Sequence, residues 1–210
     1  MDAAASFDAL KKVKIPDGIP IAILISMHAT KSLPAGEGGI FLTNSREWAK
    51  RFKSWTNFGL DDNRISNIVG TNAKLSELNC AVALASLDKW DQTRTDIQHR
   101  NSKALILTND HGLKTTDALE KNYATPYWIV KFEDINQKKQ IEIAFKKSFL
   151  STRNWWSSGC HTMPAYRNIP FTSLAETNKA SDVSIGLPFH HELTDNYWEE
   201  VNSIFSKFIT

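Results

Sequence analysis

The chain has 210 residues, which is enough for one domain or two small domains with a buried core. Its 25 Lys and Arg residues nearly balance its 23 Asp and Glu residues and are scattered among them, so we expect no nucleic-acid partner. The longest apolar run (19–25) is too short to cross a bilayer, the first residues do not resemble a signal peptide, and the two cysteines form no framework; these features favour a cytoplasmic protein without a membrane partner.

The first half of the chain alternates strand and helix patterns. The apolar, β-branched segment 19–26 predicts a strand that is buried on both faces, and 40–43 predicts the next strand. Ser45 precedes apolar residues at helical spacing, which predicts a helix over 47–55, and the polar segment 60–71 predicts a loop. Ser76 is the expected N-cap of a long helix, whose predicted apolar stripe consists of Leu78, Ala81, Val82, Ala85 and Leu87.

The charged segment 91–99 predicts that this helix continues as a link between two lobes. We therefore predict one domain over 1–92 and a second over 93–210. In the second domain, 127–132 predicts a strand, and 137–149 and 196–208 predict helices. The last helix carries apolar residues at helical spacing, which favours a core role for them within a small α/β domain.

A short polar loop with one lysine follows the first predicted strand. Its sequence is S-M-H-A-T-K over 26–31, and a G-E-G-G turn follows at 36–39. An isolated loop lysine is more often a solvated side chain. The amine of Lys31 is, however, the group that forms a Schiff base with an aldehyde cofactor, so its surroundings decide between the two interpretations.

These two segments resemble the cofactor-lysine motif of the DegT/DnrJ/EryC1/StrS family, the pyridoxal-phosphate-dependent sugar aminotransferases. Further blocks resemble the family's motifs in the same order: D-A-A at 2–4, N-F-G at 57–59, G-T-N-A-K-L-S-E at 70–77, H-T-M-P-A-Y at 161–166 and G-L-P-F-H at 186–190. The resemblance implies an α/β, fold-type-I transferase. Residues 1–92 would be the C-terminal part of the large, cofactor-binding domain, and 93–210 the small domain. Family members carry a comparable stretch before the D-A-A motif, so we expect the chain to correspond to the C-terminal part of such an enzyme.

The resemblance also implies residue roles around pyridoxal phosphate. Lys31 would hold the cofactor covalently and then move a proton during transfer, while Asp2 would hold the proton of the ring nitrogen. Ser26 would donate to the cofactor phosphate. Asn72 would reach the phosphate bound by a partner subunit, which implies a homodimer with shared active sites. Ala5 stands where the family often has a Gln or His that bonds the cofactor.

On the substrate side, the resemblance places His161 near a nucleotide-sugar cleft. Arg153, Trp155 and Trp156 precede it, and an arginine with aromatic faces fits a nucleotide diphosphate sugar as well as ordinary packing. The implied reaction transfers an amino group, with glutamate as the expected amino-acid donor, to a nucleotide-linked keto-deoxysugar. The T-R-N-W-W stretch over 152–156 resembles the branch that acts on dTDP-4-keto-6-deoxyglucose.

Other residues and other functions remain open at the level of sequence. His28 is a candidate acid–base group, but a histidine that bonds the loop backbone is the favoured interpretation. Lys74 replaces the family's usual arginine, which keeps the charge without the bidentate fork. Cys160 and His161 lack a second ligand pair, so we predict no metal site. The rival functions are an inactive fragment that serves as a fold remnant or interaction partner, and a non-enzymatic module that binds nucleotide sugars.

Overall fold

The computed structural model describes residues 1–154 and 158–209. It divides into two compact units, the first spanning Met1–Thr95 and the second running from Asp96 to the C-terminus. The division falls inside one helix, three residues after the predicted boundary. Within the described ranges, no helix is both long enough and apolar enough to cross a membrane.

A small sheet organises the first unit. Strand β1 (Ala22–Ser26) pairs antiparallel with β2 (Gly39–Thr43), with Ser26 opposite Gly39. The N-terminus runs parallel to the other edge of β1, where Ala3 N donates to Leu24 O (2.8 Å) and Leu24 N donates to Met1 O (3.1 Å). The sheet therefore has β1 in the middle, between the first residues of the chain and β2.

The predicted strand 19–26 is wrong in its first three residues. Pro20 has no backbone N–H to give to a ladder, and the residues on either side of it bond a side chain instead. Asn44 Nδ2 donates to Ile19 O (2.9 Å), and Asn44 Oδ1 accepts from Ile21 N (2.8 Å). The strand consequently begins at Ala22.

The expectation that β1 is buried on both faces is also wrong. Ile23 and Ile25 are buried against Ala3 and the short 3₁₀ helix Phe7–Lys12. Leu24, on the opposite face, is 52% exposed. Side chains alternate along a strand, so an apolar residue at every position does not show that both faces are covered.

Helices α1 (Arg46–Trp55) and α2 (Glu77–Asp88) begin at the predicted caps. Ser45 Oγ accepts from Trp48 N (3.3 Å), and Ser76 Oγ accepts from Asn79 N (3.2 Å). The predicted apolar stripe of α2 is wrong, because Ala83 is the residue of α2 that is buried and Leu78 is 74% exposed. Apolar residues occupy most of the circumference of this helix, so their spacing does not identify the packed face.

The single long helix predicted after Ser76 is in fact two helices. Lys89 ends α2 in a non-helical conformation, and α3 (Trp90–Asp110) follows it. The start of α3 is fixed to the N-terminal 3₁₀ helix by Arg94 Nε, which donates to the buried carboxylate of Asp8 (2.7 Å). The ring of Phe7 also meets Trp90 edge to face, with centroids 4.7 Å apart.

The second unit is a small α/β arrangement around one core. Strands β3 (Trp128–Lys131) and β4 (Ser184–Leu187) pair antiparallel, with Trp128 opposite Leu187. Its other elements are the C-terminal part of α3, α4 (Asp117–Glu120), α5 (Ile135–Lys147), α6 (Ala175–Val183) and α7 (Asp195–Phe208).

The apolar positions of the last predicted helix are confirmed as core. In α7, Trp198, Val201 and Phe205 are buried with Trp128 of β3. Helix α5 begins and ends two residues earlier than predicted because Asp134 caps it, accepting from the N–H groups of the two residues after Ile135. Helix α6 was not predicted, since its sequence is mostly polar.

The L-P-F-H segment at 187–190 is held by a buried tyrosine. Tyr197 Oη donates to Pro188 O (2.7 Å), and burial raises the pKa of this phenol, so it stays a donor at neutral pH.

We expect Tyr197→Phe to lower the free energy of unfolding by about 1–2 kcal/mol, since it leaves the carbonyl of Pro188 without its donor. Denaturant unfolding followed by circular dichroism measures this. Tyr166→Phe, at an exposed ring, should change stability by less than about 0.5 kcal/mol; equal losses in the two variants would contradict the assignment.

Candidate active site

Lys31 lies at the tip of the β1–β2 hairpin. The ladder continues beyond Ser26, since Met27 N donates to Gly38 O (2.9 Å) and Ala29 N donates to Gly36 O (2.8 Å). Inside this frame Lys31 N donates to His28 O (2.9 Å). The backbone that carries the lysine is thus a hydrogen-bonded extension of the sheet.

Helix α2 anchors the same loop from the side. Asn79 Nδ2 donates to Glu37 O (3.0 Å), and Ser86 Oγ donates to Pro34 O (2.6 Å). Leu33 is buried next to these contacts, whereas Lys31 itself is only partly buried. The loop is therefore fixed, and its lysine still has access to solvent.

Asp2 and Ser26 lie on one face of the sheet. Asp2 pairs with Leu24, and Ser26 is two residues further along the same strand. Because side chains alternate with a period of two, Asp2, Leu24 and Ser26 point to the same side, opposite the buried Ile23. The carboxylate of Asp2 accepts from Ala4 N (2.9 Å) and is exposed. Met1 and Ala3 both bond β1, so Asp2 is not at a frayed end.

His28 is engaged inside the lysine loop, as the favoured interpretation expects. Its Nδ1 accepts from Thr30 N (3.2 Å) and lies 2.9 Å from Thr30 Oγ1. Its Nε2 is 3.5 Å from Glu37 Oε1, across the loop. Both ring nitrogens therefore have partners that stabilise the loop.

Asn72 lies on a different part of the first unit, in the segment that returns after α1. It pairs with Asn57, and the flanking bonds join Phe58 N to Thr71 O (3.0 Å) and Ala73 N to Thr56 O (2.9 Å). The residue is exposed. Its backbone is thus fixed while its amide faces solvent.

Lys74 has a role that the sequence did not reveal. Its Nζ donates to Asn57 Oδ1 (2.7 Å) and lies 4.5 Å from the centroid of the Phe58 ring. The ammonium therefore joins the two ends of the returning segment. A helix or strand pattern gives no signal for this contact, because it depends on how the loop closes.

The predicted substrate residues lie in the second unit. His161 is in a 3₁₀ turn (Cys160–Thr162), and its ring lies 4.9 Å from that of Phe171. Arg153 pairs through its backbone with Gly186 of β4. Trp155 and Trp156 lie outside the described residues, so their predicted role stays a prediction.

No metal cluster is present among residues 1–154 and 158–209: no three His, Cys, Asp or Glu side chains gather there as ligands. In the first unit, Asp2, Ser26 and Lys31 instead offer a carboxylate, a hydroxyl and an amine. Residues 2–206 match the DegT/DnrJ/EryC1/StrS aminotransferase family. The chain belongs to this family.

Similar proteins extend this finding. A dTDP-4-amino-4,6-dideoxy-D-glucose transaminase of Shigella dysenteriae is 40% identical over 68 residues, which cover 32% of this chain and 18% of that protein. A pleiotropic regulatory protein of Geobacillus stearothermophilus is 24% identical over 215 residues, covering 99% of this chain and 57% of that protein.

Solved structures show the same fold. A protein assigned as a PLP-dependent aminotransferase from Bacillus cereus ATCC 10987 superposes with a TM-score of 0.80 at 26% identity, covering 88% of this chain and 51% of that one. DesI, solved in the presence of its TDP-sugar product, gives 0.76 at 28% identity, covering 87% and 48%. The predicted α/β, fold-type-I class is confirmed, and the chain spans about half the length of these relatives.

The cofactor implied by this family is pyridoxal phosphate, and the polar side chains of Asp2 and Ser26 fit it. Asp2 offers a carboxylate for a protonated ring nitrogen, and Ser26 offers a hydroxyl for a phosphate oxygen on the same face. Ser26 Oγ accepts from His28 N (3.2 Å), so its own O–H is left to donate. Lys31 follows five residues later on the anchored loop.

Gly59 controls the position of the segment that carries Asn72. Its φ is +77°, and a Cβ there would lie 1.8 Å from the backbone oxygen of Ile68. Gly18 has nearly the same φ, +73°, but open space around it.

We expect Gly18→Ala to lower the free energy of unfolding by about 1–2 kcal/mol through its backbone conformation alone. Gly59→Ala should lower it further and speed hydrogen exchange at the Thr71 and Ala73 amides; equal effects at the two glycines would contradict this.

Proposed function

We propose that the protein transfers an amino group to a nucleotide-linked keto sugar with pyridoxal phosphate, and that Lys31 is its catalytic residue. The observation that supports this most directly is the common face of Asp2 and Ser26 beside the hairpin that carries Lys31. Family membership and the Shigella transaminase support the reaction class. A dTDP-linked 4-keto-6-deoxyglucose is the first substrate to test, with glutamate as donor.

Bound pyridoxal phosphate would supply an aldehyde carbon that exchanges amino groups and a ring that withdraws electrons from the adjacent carbon. The Lys31 amine would hold that aldehyde covalently and, when free, would serve as the general base that takes a proton from the substrate carbon. Its partly buried position on a fixed loop would limit the space that the amine can reach.

Asp2 and Ser26 bind and orient. The Asp2 carboxylate would accept a hydrogen bond from the ring nitrogen and so favour its protonated form. The Ser26 hydroxyl would donate to a phosphate oxygen. Because both side chains stand on one strand pair, their spacing is set by the sheet rather than by flexible loops.

We further propose that the active form is a homodimer in which Asn72 of one protomer completes the phosphate site of the other. Asn72 is exposed on a segment whose backbone is pinned at Asn57 and Thr56. In the second unit, His161 and Arg153 are the proposed contacts to the nucleotide sugar.

Covalent attachment of the cofactor tests the assignment of Lys31. We expect borohydride reduction of the protein with pyridoxal phosphate to label Lys31 above every other lysine, because Asp2 and Ser26 hold the cofactor next to it. Peptide mapping by mass spectrometry measures the label. Lys31→Ala should abolish it.

Two controls make this labelling specific. Lys139→Ala removes an exposed lysine of α5, in the second unit, and should leave the Lys31 label intact, whereas Asp2→Asn should reduce it. Equal labelling of many surface lysines would sink the proposal. Nucleotide-sugar binding without cofactor, unchanged by Lys31→Ala, would favour the rival binding module.

Mixing two defective variants tests the shared site. Lys31→Ala chains lack the amine and Asn72→Ala chains lack the phosphate contact, so neither homodimer has a complete site. In a mixed dimer, the Asn72→Ala chain brings Lys31 and the other chain brings Asn72. We expect reducible label to rise on Lys31 of the Asn72→Ala chain after mixing.

The size of this recovery follows from dimer statistics. About half of randomly paired chains form the mixed dimer, and each mixed dimer holds one complete site. Full labelling of the Asn72→Ala chain before mixing would show that Asn72 serves no phosphate. No rise after mixing, in samples shown to exchange subunits, would show that the site is not shared.

A further inference from the structure

Phe149 occupies a backbone position at which glycine is the usual residue. It follows the last turn of α5, where Leu150 N donates to Phe145 O (2.9 Å) and Phe149 N donates to Lys146 O (3.2 Å). This bond pattern ends a helix with one residue in the left-handed region, and Phe149 has φ +57°. Side chains with a Cβ are disfavoured there.

The same side chain is 96% exposed. A large aromatic ring in water gives no burial energy, so neither the backbone nor the packing of its own chain favours phenylalanine at this position. A residue that breaks two local rules at once is a candidate for a role outside the fold. A contact made by the ring with another molecule satisfies that expectation.

A groove lies at the end of α5. Residues of α5 and α7 line it, with a volume of about 320 Å³. Ile143 is an apolar lining residue that is 56% exposed, and Ile204 is a buried one. Ser148, which precedes Phe149, also lines it. The exposed Phe149 therefore follows directly, along the chain, a residue of the groove.

The charges of the groove favour a second copy of the chain over other occupants. Lys147 and Lys207 line it together with Glu200, whose carboxylate accepts from the Ser148 hydroxyl. A surface that pairs with itself about a twofold axis can set each sign of charge against its opposite on the second copy. Nucleic acid or an anionic membrane would call for one sign only.

We propose that Phe149 of one copy inserts into the α5–α7 groove of a second copy, and that the second copy does the same in return. A knob and a groove on one patch make this contact isologous, so it closes after two copies. It uses residues of the second unit alone. The proposal does not depend on the transfer reaction or on the Asn72 contact.

Phe149→Gly separates association from stability. We expect it to weaken this association about tenfold or more, as the loss of a central aromatic anchor does. In sedimentation velocity, the wild-type protein should then show twice the mass of the variant at equal concentration. At a protein concentration too low for this association, urea unfolding of the variant should be unchanged or shifted to higher urea than that of the wild type, because glycine adopts the left-handed region freely.

Val69→Ser is the matched control, since Val69 is 94% exposed but lies in the first unit. It should leave the mass unchanged. A stability loss on Phe149→Gly at that low concentration would show that the ring packs within its own chain, and this would overturn the proposal. Equal masses for the wild type and Phe149→Gly would overturn it as well.

Cross-linking reads the pairing directly. In a Cys80→Ser, Cys160→Ser background, one chain carries Phe149→Cys and the other Ser203→Cys, a residue of the groove. A short bis-maleimide added to the mixture should join these two positions between chains, as identified by mass spectrometry. A yield no higher than that of a Val69→Cys and Ser203→Cys mixture would overturn the proposal.

Discussion

The register between the first three residues and β1 is the constraint on which the candidate site depends. Two backbone bonds set it, from Ala3 N to Leu24 O and from Leu24 N to Met1 O. They place Asp2 beside Leu24 and hence on the face of Ser26. A slip of one residue would turn the carboxylate toward the buried face of Ile23 and separate it from the hydroxyl. Acid and hydroxyl are thus brought together by backbone pairing rather than by contact with each other.

The first unit positions the residues of the candidate site by itself, although part of its apolar surface is exposed. Leu24 and Leu78 leave apolar area in solvent, and most of the circumference of α2 is apolar. The relatives that match most of this chain are about twice as long. The internal bonds of the first unit nevertheless fix the lysine loop and the Asp2 face. Cofactor attachment therefore tests the part of the proposed function that depends on the first unit alone.

Local chemistry explains which elements could be predicted from sequence. Ser45 and Ser76 are caps that act within three residues, so their helices were predicted at the right place. The exposure of Leu24 depends on what covers the sheet, which no periodicity encodes. The contact of Lys74 with Asn57 spans 17 residues and arises only when the loop closes. Motif resemblance named the site residues, while the structure added the common face of Asp2 and Ser26.

The division of tasks between strand and loop suits the proposed chemistry. A carboxylate and a hydroxyl that only bind gain from a rigid strand pair, because fixed groups lose little entropy on binding. A lysine that alternates between a covalent bond and a free base has to move. The loop supplies both properties: its backbone is tied by Met27, Ala29, Asn79 and Ser86, and the long side chain of Lys31 provides the movement. Loosening the loop should therefore harm orientation before it harms folding, because the sheet below it is held by its own ladder.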